Sequence, residues 1–398
     1  MAPASVAGDL GLPNYMSDAK LHQPLPRGFW VIWSTVALDM IGFGIVAPIL
    51  GRYADRFGAN GFQVGLLFAS FSLMQMLFAP ILGRWSDRVG RKPVLIISLL
   101  GSALGSFITG AAGALWVLFA GRLIDGVSGA SISVAQGAVT DIAEPQQRAR
   151  MLGLLSMAFG VGFVVGPALG GLASLGGPHV PFYLAGVLAL INTGAAIVRL
   201  PETRTVEQRR APRPRPQKSS RKVSQYVVIG FLATVPFAAF EATFSLFGGR
   251  RFDLTEGSTA LVFLAVGVLM SGVQGAAIAP LTRRFGSARL VVVGQSLVAV
   301  GLIALGASTI WLALGFSLVL MVIGAGIAAP SLTVLVANSA DENRRGEILG
   351  MQQSASALAR VVGPPLAGLA FDGIGIGAPY TLGAMLCVAA VLVARRKL

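Results

Sequence analysis

The sequence predicts an all-α integral membrane protein whose twelve membrane-spanning helices form two six-helix halves. Three observations lead to this fold class: an apolar composition, twelve separate hydrophobic windows, and a repeat between the two parts of the chain. Apolar residues make up 54% of the chain and charged residues only 12%. This composition provides too few polar residues to cover a water-soluble globule. Lipid is therefore the expected solvent for most of the chain.

The hydrophobic windows define the predicted helices, because a helix that crosses the hydrocarbon core needs roughly 20 mostly apolar residues. Six of these windows precede a polar linker at 201–223, and six follow it. It divides the chain into a tail (1–27), an N-terminal half (28–200) and a C-terminal half (224–398). In chain order, we call the windows spans 1 to 12: 29–50, 62–83, 93–113, 115–137, 150–173, 180–199, 225–248, 258–280, 289–307, 311–336, 347–370 and 378–394.

Spans 5 and 11 carry the repeat. The run from Arg148 to Ala173 matches the run from Arg345 to Ala370 at one constant offset. The equivalent positions are Arg148 and Arg345, Gly153 and Gly350, Gly166 and Gly363, and Ala173 and Ala370. Chance similarity between two apolar helices would not keep this register. Repeated halves in a hydrophobic chain are typical of transporters, whose substrate site lies near mid-membrane between the halves.

The basic residues, which give a net charge of +14, indicate the orientation in the membrane. Most of them lie on one side of the bilayer. Four arginines are on the other side: Arg52, Arg56, Arg250 and Arg251. Two more, Arg122 and Arg360, are within spans. The positive-inside rule therefore predicts that both termini are cytoplasmic. The same distribution assigns the positive charge to membrane topology and not to nucleic-acid binding.

The scarcity of cysteine and histidine excludes several classes of site. Cys387 is the single cysteine, so no internal disulfide or cysteine-cluster metal site is expected, and the two histidines, His22 and His179, lie in the tail and a loop. The tail does not resemble a cleaved signal peptide. The basic linker is either a solvated loop or a segment that docks to anionic lipid head groups. We expect no metal and no cofactor.

The short loop between spans 2 and 3 holds one acid among four bases and turns at glycines. It reads Gly83-Arg-Trp-Ser-Asp87-Arg88-Val-Gly90-Arg91-Lys92-Pro93. This loop resembles motif A of the major facilitator superfamily, and the resemblance extends over all twelve spans. It implies that Asp87 bonds neighbouring helix ends and latches the outward-facing state, and that the loop residues Gly83, Arg88, Gly90 and Arg91 also act in gating. The alternative is that the loop only sets topology by its charge.

The corresponding loop of the second half, around Arg283 and Gly286, has an arginine at the position of Asp87. We therefore expect the two halves to contribute unequally to gating.

Spans 4 and 5 carry two further resemblances. Arg122 and Asp125 in span 4 resemble motif B, whose arginine is associated with proton coupling, and span 5 resembles motif C, which is typical of antiporters. Small residues allow close helix approach and proline allows bending, so packing alone is the alternative explanation. The motif C residues predicted to act in gating are Gly162, Gly166, Pro167, Gly170 and Gly171.

Span 1, around Asp39, and span 2, around Gln75, resemble the drug/proton antiporter branch that includes tetracycline exporters. In that branch the span 1 carboxylate takes part in transport. The chain departs from it in spans 8 and 9, which lack the histidine and the further acid of tetracycline exporters. The resemblance therefore does not extend to tetracycline as the expected substrate.

Ionisable groups within the spans each cost roughly 2.5 to 3.5 kcal/mol on insertion scales and therefore indicate function. There are five: Asp39, Arg122, Asp125, Glu241 and Arg360. Arg122 and Asp125 are three residues apart on one helix face and are predicted to pair. Glu241 and Arg360 are predicted to pair across helices. Asp39 is left without a counterion and is the best candidate for reversible proton binding, with a bond to helix backbone as the alternative. We predict all five as proton-coupling residues.

A cavity with one spare negative charge and apolar walls would suit lipophilic neutral or cationic molecules. Apolar walls are expected from Phe43, Met74, Met76, Phe240 and Phe244. Asp39 and Glu241 are also predicted to contact the substrate. Orienting hydrogen bonds are expected from four glutamines: Gln75, Gln136, Gln352 and Gln353.

Together these observations predict a proton-driven exporter of drug-like molecules, working by alternating access as a monomer in a prokaryotic inner membrane. Its partners would be the substrate, protons and the lipid bilayer, and the proton gradient would supply the energy. The alternative is a proton-coupled importer of a sugar or organic acid with the same fold. A membrane enzyme or sensor is disfavoured, because the sequence contains no phosphate-binding loop, zinc-ligand spacing or soluble signalling domain.

Overall fold

The computed structural model describes residues 25–129, 131–144, 147–205, 221–338 and 345–395. Helices account for nearly all of these residues, and none of them forms a strand. The first half contains Arg27–Asp55 (span 1), Gly61–Val89 (span 2), Arg91–Gly110 (span 3), Leu115–Ser128 with Ser131–Ile142 (span 4), Arg148–Ser174 (span 5) and Val180–Arg199 (span 6). The second half contains Arg221–Phe252 (span 7), Glu256–Gly272 with Ile278–Phe285 (span 8), Ser287–Ala307 (span 9), Trp311–Asn338 (span 10), Arg345–Gly373 (span 11) and Ala378–Arg395 (span 12).

These helices confirm the predicted fold class. Within the described residues, eleven helices are long and apolar enough to cross a membrane, and span 11 adds a further helix of 29 residues. Several helices extend beyond their predicted windows because their terminal turns are polar. Span 8 also contains a π-helical turn at Val273–Ala277 that the hydrophobic pattern did not indicate. The predicted tail and most of the predicted linker lie outside the described residues.

Local sequence signals fix several helix ends. Asn60 and Thr255 form capping boxes at the starts of spans 2 and 8, where their side chains accept hydrogen bonds from the backbone N–H groups of Gln63 and Ser258. The turn between spans 2 and 3 passes through Gly90 at a φ of 116°. A residue with a Cβ atom rarely adopts this angle, so the glycine is what allows the sharp corner of the motif A loop.

The helices pack as two bundles, and three helix pairs make most of the contacts between them. In the first half, span 3 packs on spans 4 and 6, and span 1 packs on spans 5 and 6. In the second half, span 9 packs on spans 10 and 12, and span 7 packs on spans 11 and 12. Between the halves, span 2 contacts span 11, span 5 contacts span 8, and span 1 contacts span 7.

The contacts between the halves lie toward one side of the molecule. We call the side with residues 143, 144 and 200–205 the linker side, and the side with residues 56–60 and 374–377 the opposite side. Gly65 of span 2 meets the backbone of Pro364 in span 11, and Gly267 of span 8 meets the backbone of Phe163 in span 5. These contacts lie toward the opposite side, where the absence of side chains lets the helices touch. The halves separate toward the linker side.

We predict that Gly65→Ala destabilises the closed contact between spans 2 and 11, because the added methyl group would meet the backbone of Pro364, which cannot move aside like a side chain. Overpacking of this kind costs about 1 to 3 kcal/mol. The matched control is Gly194→Ala in span 6, where no heavy atom lies within 4 Å of the added carbon. Thermal unfolding of the detergent-purified variants tests the prediction, which equal unfolding midpoints would contradict.

Candidate functional site

The two halves enclose a cavity of about 1150 Å³ that reaches the linker side. Its wall includes residues near the linker-side ends of spans 2, 5, 7, 10 and 11, such as Pro80, Gly153, Gly230, Thr333 and Gln352. The glycine contacts between the halves close it toward the opposite side. A cavity of this size can hold a drug-sized molecule.

Asp39 lies in the cavity wall on span 1. Its Oδ2 atom accepts a hydrogen bond of 2.5 Å from the hydroxyl of Ser131, which begins the second segment of span 4. No residue in the described part of the chain forms an ion pair with it. Asp39 therefore has one neutral hydrogen-bond donor and access to the cavity, an arrangement that permits a carboxylate to take up a proton.

Arg122 and Asp125 form the predicted pair in span 4, with 2.9 Å between Arg122 Nη1 and Asp125 Oδ2. The hydroxyl of Ser102 donates a second hydrogen bond to Asp125. Arg122 is only 3% exposed, and its guanidinium lies over the ring of Phe71, 4.3 Å from the ring centroid. Asp125 lines the cavity, whereas Arg122 lies behind its wall. The geometry of this pair is confirmed, and its role in coupling stays a prediction.

Glu241 and Arg360 do not form the predicted ion pair. Glu241 is 4% exposed in span 7, and its Oε1 atom has no hydrogen-bond partner. Arg360 lies in the cavity wall on span 11, and none of the ion pairs in the described part of the chain includes it. The two charges still attract each other at longer range. The pairing failed because the two side chains occupy different environments, the protein core and the cavity.

The predicted substrate contacts divide in the same way. Phe43, Met76 and the four glutamines line the cavity, as predicted. Phe240 and Phe244 do not, because both are fully buried and pack against Phe263 in a hydrophobic core that residues of both halves share. Met74 and Glu241 are also absent from the wall. The sequence shows that span 7 is rich in phenylalanine, but the face that carries these rings depends on how span 7 packs.

Polar cavity residues that the sequence analysis missed include Ser102, Ser131, Gln274, Gln295 and Thr333. Serine and threonine are common inside membrane helices, where they bond to carbonyls of their own helix, so their presence carries little signal. Gln274 and Gln295 were visible as amides within apolar spans. Gln295 is 5% exposed, and its Oε1 atom has no hydrogen-bond partner.

The motif A loop forms a polar network on the linker side. Asp87 Oδ1 accepts bonds from Arg91 Nη1 at 2.9 Å and from Arg204 Nη1 at 2.7 Å. Arg91 also contacts Asp141 at the end of span 4, with 2.9 Å between Nε and Oδ2. Glu202 accepts the backbone N–H of Arg91 and thereby caps span 3. The loop is therefore bonded to the end of span 4 and to the start of the linker.

The other predicted gating residues occupy two kinds of environment. Arg88 is exposed, and a Cβ atom added at Gly83 would have no neighbour within 4 Å. Span 5 instead uses its glycines for close packing on span 1, where Gly162 meets the backbone of Met40 and Gly166 meets that of Gly44. Gly170 faces Ile45 of span 1, and Gly171 faces Ala260 of span 8. Pro167 of the same helix is buried. Packing is thus established for these glycines, and gating stays a prediction.

The comparison with known protein families agrees with this architecture. The sequence model of the Major Facilitator Superfamily matches residues 32–283 and 275–397. The chain belongs to this superfamily. Among similar curated proteins, the class C tetracycline resistance protein of Escherichia coli is 32% identical over 84% of this chain and 87% of its own length. Multidrug resistance protein 2 of Bacillus subtilis (strain 168) is 27% identical over 86% and 88%.

Solved structures of superfamily transporters share the fold. The human organic anion transporter MFSD10 (TETRAN) superimposes with a TM-score of 0.73 at 24% identity, covering 94% of this chain and 100% of that chain. A bacterial homologue of the human lysosomal transporter Spinster, in an inward-facing and occupied conformation, gives a TM-score of 0.70 at 15% identity, covering 92% and 94%. At this level of identity the similarity establishes the fold alone. Together with the family match and the 32% identical relative, it identifies the protein as an integral membrane transporter of this superfamily.

Polar contacts between the two halves close this superfamily member on the opposite side. Asp372, at the end of span 11, accepts the backbone N–H groups of Gly61 and Phe62 at 3.0 and 2.9 Å and thereby binds the first turn of span 2. Arg56 Nη2 lies 2.7 Å from Glu256 Oε1 at the start of span 8. Asp372 was not among the predicted site residues. The repeat does indicate it, because the equivalent position in the first half is the apolar Leu175.

We predict that Asp372→Asn shifts the protein toward conformations that are open on the opposite side. The carboxylate faces the positive end of the span 2 helix dipole, and loss of such a cap costs about 1 kcal/mol. The distance between the halves is measured by double electron–electron resonance. The spin labels are attached at the exposed positions Leu175 and Ile374 in a Cys387→Ser background.

The control for this prediction is Asp253→Asn, which removes an exposed carboxylate from the same half and the same side. A longer-distance population should grow in Asp372→Asn but not in the control. Identical distance distributions in both variants would show that the Asp372 contact does not hold the halves together.

Proposed function

We propose that the protein is a drug/proton antiporter that exports a lipophilic small molecule, neutral or cationic overall, by alternating access. Protons entering at Asp39 would supply the energy, with Arg122, Asp125, Glu241 and Arg360 assisting the coupling. The similarity to tetracycline and multidrug resistance proteins supports the class of substrate. Spans 8 and 9 lack the histidine and the further acid of tetracycline exporters, which argues against tetracycline itself as the substrate of this protein.

The single observation that carries the proposal is the environment of Asp39. It is a carboxylate in the cavity wall, bonded to the neutral hydroxyl of Ser131 and without an ion pair in the described part of the chain. A low-dielectric site without a counterion favours protonation, and a polar donor limits that preference. A group balanced in this way can exchange its proton when the cavity changes sides or when substrate binds.

The conformation supports the alternating-access part of the proposal. If the linker side is cytoplasmic, as the basic residues predict, the cavity is open to the cytoplasm and closed on the far side. This is the state in which an exporter collects its substrate. In the same proposal the protein is a monomer of a prokaryotic inner membrane with both termini cytoplasmic, divided at residues 201–223 into two moving halves, and it needs no cofactor.

The substitution Asp39→Asn tests the role of this carboxylate. An amide keeps the size of the side chain and can accept the bond from Ser131, but it cannot carry a proton at physiological pH. We expect proton-driven export of a fluorescent dye to be lost while the purified variant keeps its fold. Asp55→Asn, at the exposed end of the same span, is the control and should transport normally. Proton-driven export that persists in Asp39→Asn would refute the proposal.

The direction of coupling can be measured with inside-out vesicles. An acidic lumen should drive accumulation of the dye, because an antiporter exchanges lumenal protons for substrate outside. An importer that carries proton and substrate together would instead release preloaded dye under this gradient. Accumulation that depends on an acidic lumen is the expected result.

A further inference from the structure

Arg360 is the cavity-lining cation for which the structure shows no partner in hydrogen-bond contact. It lies on span 11 in the wall that the second half contributes. No ion pair or hydrogen bond of the described residues includes it. An arginine keeps its charge at every physiological pH, and its five N–H donors need acceptors. Because no acceptor in the described part of the chain bonds these donors, they can bind water or a molecule in the cavity.

The acids near Arg360 do not satisfy these donors. Glu241 attracts Arg360 at longer range but lies behind the wall, 4% exposed. Asp39 and Asp125 belong to the wall of the first half, where they bond to Ser131 and to Arg122. The cavity thus has separated charges, with carboxylates on the wall of the first half and a guanidinium on the wall of the second.

The surroundings of Arg360 suit recognition of a polar group on a largely apolar molecule. Four amides lie in the same wall, from spans 8, 9 and 11: Gln274, Gln295, Gln352 and Gln353. Apolar side chains such as Phe237 and Met270 complete it. A guanidinium binds planar or bidentate anions such as carboxylates by two parallel hydrogen bonds. Neutral amides elsewhere in the same wall can add hydrogen bonds without cancelling its charge.

We propose that Arg360 forms an anion subsite and that the favoured substrates are lipophilic zwitterions. Their acidic group would bind Arg360, and their basic group would face the carboxylates of the first half. This inference rests on the proposed function in taking the cavity as the transport site. It narrows the proposed substrate class, because a zwitterion is neutral overall but carries two charges that would bind to the two opposite walls of the cavity.

The test compares two dyes that differ at one group. Rhodamine B is a zwitterion, and its ethyl ester is a cation with the same carboxylate blocked. Binding to the purified full-length protein is measured by fluorescence polarisation. The wild type should bind rhodamine B about tenfold more tightly than the ester, as expected for one charge-assisted contact. Arg360→Gln should abolish this preference, and Arg360→Lys should keep part of it.

Two further variants make the result independent of the folding of Arg360→Gln. Ser356→Asp places a carboxylate one helical turn before Arg360, where it can pair with the guanidinium and should also remove the preference. Arg289→Gln removes an exposed arginine from the start of span 9 and should keep it.

A wild type that shows no preference for rhodamine B, including one that binds neither dye, would overturn the inference. So would a preference that survives both Arg360→Gln and Ser356→Asp. Because these measurements use no proton gradient, they are separate from the Asp39 transport test. If Arg360→Gln loses the dye preference and Asp39→Asn still exports, the results support the subsite and refute proton coupling at Asp39.

Discussion

The low dielectric of the membrane interior constrains every ionisable group in this protein. A charge inside a span is retained only if a partner, a hydrogen bond or access to water compensates it. Arg122 and Asp125 are compensated by each other, by Ser102 and by the ring of Phe71, although the Nε atom of Arg122 is buried without a hydrogen-bond partner. Asp39 has one hydroxyl, and Glu241 has a buried oxygen without a hydrogen-bond partner. This gradation separates a fixed ion pair from groups that can respond to protons or substrate.

A transporter must also hold its halves together without making that contact permanent. On the opposite side this protein uses backbone contacts at glycines, one ion pair and the carboxylate of Asp372 at the start of span 2. Buried side chains of both halves, including Leu50, Tyr53, Phe244 and Phe247, form one hydrophobic cluster behind these contacts, whereas an exposed ion pair contributes about 0 to 1 kcal/mol. Alternating access requires that these contacts between the halves be exchanged for others when the cavity opens on the opposite side.

The two halves share a fold but differ where charged groups occur. Asp87 bonds two arginines in the first half, whereas Arg283 occupies the corresponding place in the second. Arg360 and Asp372 stand where the first half has Phe163 and Leu175. Apolar positions of the repeat are kept because both halves must pack the same helices. Arg360 and Asp372 thus lie in the cavity wall and at the contact between the halves, where the two halves meet different surroundings.

The sequence by itself determined the twelve spans, the two halves, the pairing of Arg122 with Asp125, and the superfamily, because hydropathy, helical spacing and loop motifs are local properties. Tertiary structure alone decided which faces meet the cavity. It placed Phe240 and Phe244 in the core, separated Glu241 from Arg360, and brought Asp372 to the first turn of span 2. A helix that is apolar on all sides carries no pattern that indicates its inward face. That choice depends on the packing of neighbouring helices, which are distant in the chain.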